Sequence, residues 1–305
     1  MPKRHTILAV LAIALAFCAP ALADSGSWWR EKAPGTALDQ RSLGPDWAGR
    51  VKWDDGYLEV MAMGVADPAQ AVNQAHAEVL ALKTARYRAY ERLLEIVKGV
   101  RLTSRTLVRK EVLADSRLLT LVTGMVRGAR VISEKVSRRP DGSVVARVRV
   151  GMLLTGKSGL SGAALPWWRR NNRDKPPAFR PPAGEKVRPA EHPFTGLVVL
   201  AEGLGARPAM FPSLVEEKSG RVIYGPSMVD RDLAIERGMV GYATGTADAV
   251  AQKRTGDNPL IVKAVAAAGP GKARLVITTG DAVKIYAADL KSGLLRECRV
   301  TIVIK

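Results

Sequence analysis

The side chains best suited to chemistry are scarce in this chain: three histidines and two cysteines in 305 residues. His76 falls in an alanine-rich stretch and His192 stands beside Pro193, while Cys298 lies in an alternating apolar run near the end. A thiol–imidazole pair would have to join Cys298 to a histidine distant in sequence, and no local spacing does that. No group of His, Cys, Asp and Glu has the close spacing of a metal site, and no serine occupies a G-x-S-x-G turn. Gly203-Leu204-Gly205 follows an apolar run but lacks the third glycine and helix start of a dinucleotide loop, so it reads as a turn. Asp232 and Glu236, just after Asp230, would share one face of a helix. Solvated charge is their expected role, with a divalent-ion site second. Asp257-Asn258-Pro259 reads as a turn before a strand. No catalytic, cofactor-binding or metal-binding residue is assigned, no cofactor is expected, and the chain reads as a non-enzyme.

A second kind of chemistry, surface recognition, has more support. Trp167, Trp168, Arg169 and Arg170 stand together in a stretch rich in proline and arginine. Paired aromatic and guanidinium groups suit interfaces with proteins or membrane surfaces; the other reading is an aromatic pair folded back onto its own body. The formal charge is +18, a balance that attracts anionic partners over long range or only maintains solubility.

The location of those partners follows from the first residues. Lys3 and Arg4 precede an apolar run from Ile7 to Phe17, and Ala21-Leu22-Ala23 closes it. A basic head, a short apolar core and an A-x-A end are the parts of a secretory signal, with cleavage expected after Ala23. Lipid attachment at Cys18 ranks below cleavage, because Phe17 stands where a small residue is required. Loss of Lys3 and Arg4 with the 23-residue leader brings the charge to +16 on the remaining 282 residues. The expected location is the periplasm, with outer-membrane association. Nucleic acid, the usual partner of such charge, is not expected there. Anionic lipid or polysaccharide, envelope proteins and a second copy of the chain are. Cys298 is then the single cysteine left, so it forms no internal disulfide and reads as a small buried hydrophobe.

The elements that would carry these residues fall in five segments: the leader 1–23, an irregular 24–50, an α+β unit 51–155, a Pro/Arg-rich linker 156–193 and a second α/β unit 194–305. A strand is predicted over Trp53–Met63, and Asp67-Pro68 then reads as cap and first residue of a long helix. Val72, Ala75, Val79, Leu82, Ala89, Leu93 and Val97 form its apolar stripe and Gly99 its end. A shorter helix is predicted over Lys110–Val126. Two strands follow, Arg130–Arg138 and Ser143–Leu154, joined through Asp141-Gly142. Seven prolines between Pro166 and Pro193 favour an extended linker. Beyond Thr195 strands and helices alternate: Leu197–Leu200, a hairpin about Lys218-Ser219-Gly220, helices at Asp230–Arg237 and Thr246–Lys253, and a helix capped by Thr279. Arg299–Ile304 is the last strand.

The segment from Gln74 to Val108 contains Ala75-His76-Ala77-Glu78, Ala81-Leu82-Lys83-Thr84-Ala85-Arg86, Ala89-Tyr90 and Val97-Lys98-Gly99-Val100. It resembles the helix of a family of small bacterial outer-membrane lipoproteins and the N-terminal domain of flagellar assembly protein T. The resemblance spans about residues 57–154. It implies a strand-helix-helix-strand-strand module, dodecin-like in shape. It also implies a scaffolding or assembly role at the envelope, possible in a flagellar context, without catalytic residues. The alternative function is a binding module for anionic glycan or lipid head groups of the envelope.

Overall fold

The computed structural model describes residues 49–53, 55–172, 177–184, 187–189 and 192–304. The leader with Cys18 and Ala23, and Arg173, Lys175, Pro176 and Lys186 of the basic stretch, lie outside the described residues. Those described belong to one compact unit spanning Leu43–Lys305. It is a mixed α/β body with two sheets and, among the described residues, seven helices.

The first sheet has the order β1-β2-β4-β3, all antiparallel. Its strands are β1 (Arg50–Lys52), β2 (Tyr57–Ala66), β3 (Arg130–Arg138) and β4 (Val144–Leu153). β1 arises from the end of the segment expected to be irregular. On β2, Leu58, Val60, Ala62, Gly64 and Ala66 point to one side by the two-residue period of a strand and are buried there. That side is covered by helix α1 (Gln74–Gly99).

The sequence reading misplaced the start and the buried stripe of α1. Asp67 accepts the amide of Ala69 at 2.9 Å and caps only a 3-10 turn at Pro68–Gln70. Asn73 caps the α-helix, accepting the amide of His76 at 2.9 Å. The buried stripe is Ala77, Ala81, Ala85, Ala89, Leu93 and Val97, a strict four-residue series, while Val72 and Val79 are exposed. The reason is close approach. A methyl group on Gly64 would overlap the carbonyl of Ala81 and the amide of Ala85, so small residues suit the part of the line that faces Gly64. The expected second helix is two: α2 (Val108–Ala114) and α3 (Ser116–Arg127). They break at Asp115, whose side chain accepts the amide of Arg117 at 2.8 Å and that of Leu118 at 3.4 Å.

The expected linker holds a helix, α4 (Leu160–Asn171), with Pro166 inside it. An interior proline costs roughly 3 kcal/mol. Burial of Leu160, Ala163, Ala164, Leu165 and Trp167 offsets that cost.

The second sheet has the order β7-β6-β10-β9-β5-β11-β8. Its strands are β5 (Gly196–Leu200), β6 (Ser213–Glu216), β7 (Val222–Tyr224), β8 (Gly241–Ala243), β9 (Pro259–Ala268), β10 (Arg274–Ile277) and β11 (Val300–Val303). β9, β5, β11 and β8 run parallel, while β10 meets β9 antiparallel. The helices are α5 (Arg231–Arg237), α6 (Thr246–Ala251) and α7 (Thr279–Ser292). α6 covers Val198, Ala243 and Val303 on one face. On α7 the cap is Thr278, which accepts the amide of Asp281 at 3.1 Å, and not Thr279. Cys298 precedes β11 in a turn with φ 57° instead of lying in a strand.

The two sheets share one core. Leu102, at the tip of the α1–α2 loop, is fully buried in the same cluster as Leu160, Phe211 and Tyr242. The carbonyls of Arg101 and Leu102 accept the amides of Met210 (2.9 Å) and Phe211 (2.7 Å), and Ser104 accepts from Gly271 (2.6 Å). Loop backbone from the first layer is therefore hydrogen-bonded into loops of the second.

Candidate functional site

The four residues expected to form an interaction patch are dispersed by the helix that carries them. Trp167 is buried, and its indole Nε1 donates to Asp115 Oδ2 at 2.6 Å. Trp168 is half-buried with its ring 6.2 Å from that of Phe211. Arg169 donates to the carbonyls of Pro226 (3.0 Å) and Val229 (2.7 Å). Of the four, Arg170 is the exposed one. The aromatic pair packs back onto the body because its helix is wedged between the layers, so no shared exposed patch forms. Trp167 follows the other reading, an aromatic folded back onto its own body, while Arg169 stays half-exposed.

The residues considered for catalysis stay apart. His76 and His192 are exposed in different segments, and His76 Nδ1 accepts the Val72 amide at 3.2 Å. Asp230 caps α5, accepting the amides of Asp232 and Leu233 at 3.0 Å each, while Asp232 and Glu236 face solvent. Gly203 and Gly205 have positive φ in a turn after β5. No group of three or more His, Cys, Asp or Glu arranged to hold a metal ion exists among the described residues.

Two buried polar clusters were not legible in the sequence. In the first, Tyr224 donates its hydroxyl to the carbonyl of Met239 at 2.6 Å and lies beside the Cys298 thiol. Arg254 donates to the carbonyls of Gly238 and Cys298 at 3.3 Å each and to that of Arg237. Burial pushes the Cys298 thiol up to about 11, against the Tyr224 hydrogen bond and the positive charge of Arg254. A nucleophilic thiolate is disfavoured there. Arg254 instead joins the end of α5, where a cation meets free carbonyls, to the turn before β11.

In the second cluster, Glu216 at the end of β6 is almost fully buried. Its carboxylate accepts the amides of Lys218 (3.0 Å) and Ser219 (2.6 Å), and the hydroxyls of Ser219 and Thr279 (2.5 Å each). Burial pushes its pKa up, but these donors outweigh burial and hold it at about 2. It fastens the β6–β7 turn to the start of α7.

The broadest feature able to meet a partner is the second face of the first sheet. Side chains of β2, β4 and β3 that point away from α1 align as Met63–Arg147–Lys135 and Met61–Arg149–Ser133. Met63, Val65, Arg147 and Lys135 are exposed. The ion pairs of this sheet join Arg86 to Glu134 and Arg138 to Glu78 on the helix side, and Arg50 and Lys52 to Glu59 at the β1 edge. None engages Arg147, Arg149 or Lys135 among the described residues. Arg149 Nε is shielded from solvent and has no hydrogen-bond acceptor there. Beside this face runs β3, nine residues long, exposed throughout, and the last strand of its sheet.

Comparison with protein families matches residues 196–305 to a model described as Treponema pallidum Tp0624, second domain. The match spans the second sheet and about a third of the chain. No curated protein matches the chain. The resemblance read from residues 57–154 is corrected by this result. The matched family is neither the small lipoproteins nor flagellar assembly protein T, and it lies in the other part of the sequence. The alanines at positions 77, 81, 85 and 89 line the buried face of α1, and close approach at Gly64 accounts for Ala81 and Ala85 without a family relation.

Proposed function

We propose that this chain is an exported, non-enzymatic structural or assembly protein of the cell envelope, and that β3 is the edge on which it meets its partner. The observation that carries the reading is the state of that strand. Its nine residues are exposed and, among the described residues, its outer edge has no neighbouring strand. Sheets protect such an edge with bulges and charge because it invites another strand. β3 has one irregularity, between Val131 and Ser133, and pairs in regular register from Ser133 to Arg138, a stretch suited to strand addition, a common mode of protein recognition. The layers behind it share one core, which supplies a rigid mount. The order strand, long helix, strand, strand around one covered face also suits a dodecin-like module. The leader-like first residues supply the envelope location. No helix among the described residues is long and apolar enough to cross a membrane, so association through a surface or a partner is the form this reading takes. Fractionation of cells tests it: the protein is expected in envelope fractions, and recovery only as a free soluble monomer contradicts it.

A second reading, an anion-binding module, is favoured by the Met63–Arg147–Lys135 row. Its two cations, and Arg149 in the next row, have no carboxylate partner among the described residues, and binding through them weakens as salt rises.

A further inference from the structure

Resting on the anion-binding reading, we propose that the open face of the first sheet docks on a bilayer leaflet bearing anionic phospholipid headgroups, through Met63, Val65, Ile132, Lys135, Arg147 and Arg149. The face mixes apolar and basic side chains. Val65 is 45% exposed, and Met63 and Ile132 are 38% exposed each. These apolar groups are interleaved across three strands with Lys135 and Arg147, both exposed. Ile132 lies over Gly151, where an added methyl group would meet its Cδ1 at 2.7 Å. The glycine thus leaves room for an isoleucine to stand on the face.

A polyanionic glycan would satisfy the cations but offers nothing to the methionine, valine and isoleucine. A phospholipid leaflet satisfies both: phosphates meet the cations while apolar tips enter the headgroup–acyl boundary. The charges on this face also agree with one another. Glu134, on the neighbouring strand position, turns to the other side and pairs with Arg86. Glu59 is neutralised by Arg50 and Lys52 at the β1 edge. Arg149, half-buried in the row Met61–Arg149–Ser133, adds a third positive charge to the face.

The test uses the chain from Asp24, which retains the whole compact unit Leu43–Lys305. Binding is measured to vesicles of phosphatidylglycerol and phosphatidylethanolamine, to vesicles of phosphatidylcholine alone, and to heparin as a lipid-free polyanion. Each cation near a leaflet contributes on the order of 1 kcal/mol, so K135Q/R147Q is expected to weaken binding to the anionic vesicles about thirtyfold. R109Q/K110Q, an exposed pair on α2 away from this face, is expected to bind as the parent does. V65S is expected to weaken vesicle binding and leave heparin binding unchanged. Vesicle binding that K135Q/R147Q does not alter overturns the proposal. Binding to heparin but not to anionic vesicles, lost in K135Q/R147Q, also overturns it while leaving the anion-binding reading standing. Binding to neither overturns both.

Discussion

Trp167 Nε1 donates to Asp115 Oδ2 at 2.6 Å, joining the helix α4 to the joint between α2 and α3. The same carboxylate caps α3 through Oδ1. One acid therefore fixes a helix start and satisfies a buried indole, and both hydrogen bonds lower its pKa, the indole's first. A double-mutant cycle of D115A and W167F is expected to show non-additive losses in denaturant unfolding. Additive losses would mean that the two residues act independently.

Gly64 sets the distance between α1 and its sheet. Any Cβ there would collide with backbone of Ala81 and Ala85, which no side-chain rotation relieves. G64A is expected to lower stability by about 3 kcal/mol. A81G, which leaves the contact open, is expected to cost about 2 kcal/mol, from helix propensity and the loss of a fully buried methyl. Equal losses in the two would show that the approach is looser than described.

Glu216 gives the fold a pH dependence with a definite sign. Its folded pKa, about 2, lies below the ordinary value of 4.5. The stability it contributes is therefore present above about 4.5 and is lost as pH falls through 2. E216Q is expected to be less stable than the parent by about 2 kcal/mol at pH 7. Thermal unfolding of both proteins from pH 7 to pH 2 is expected to show that gap closing at the acid end. A constant gap would remove the carboxylate's charge from the explanation.

Cys298 is expected to resist alkylation in the folded protein at pH 8 and to react once the chain is unfolded. Burial raises its pKa to about 11 and Tyr224 stands against the sulfur. Mass spectrometry of the peptide carrying Cys298 measures this. Rapid labelling without denaturant would contradict the buried environment.

The strands and most helices were legible because their signals are local. Apolar alternation marks β2 and β4, Asp141-Gly142 marks the hairpin between β3 and β4, and alternating elements mark the second layer. What was missed depends on distance in space. Val72 and Val79 match a helical spacing as well as Ala77 and Ala81 do, and only the closeness of Gly64 to α1 decides which series is buried. Pro166 reads as a breaker until Leu160, Leu165 and Trp167 are seen buried between two layers. The same burial removed Trp167 from the surface where its residue type had suggested a patch, while Arg169 stays half-exposed. The basic row of the open sheet face was hidden for a similar reason: Met63, Lys135 and Arg147 are remote in sequence and meet only through strand register.

The exposed strand β3 is the proposed place of contact. A photoreactive amino acid at Ser133, in cells expressing the full chain, reports directly on what lies there, with Lys253 beyond α6 as the control position. The predicted result is a defined cross-link from position 133 to an envelope protein or lipid, with none from position 253. Equal, diffuse labelling from both positions, or none from either, would contradict the claim that this edge is where the protein meets its partner.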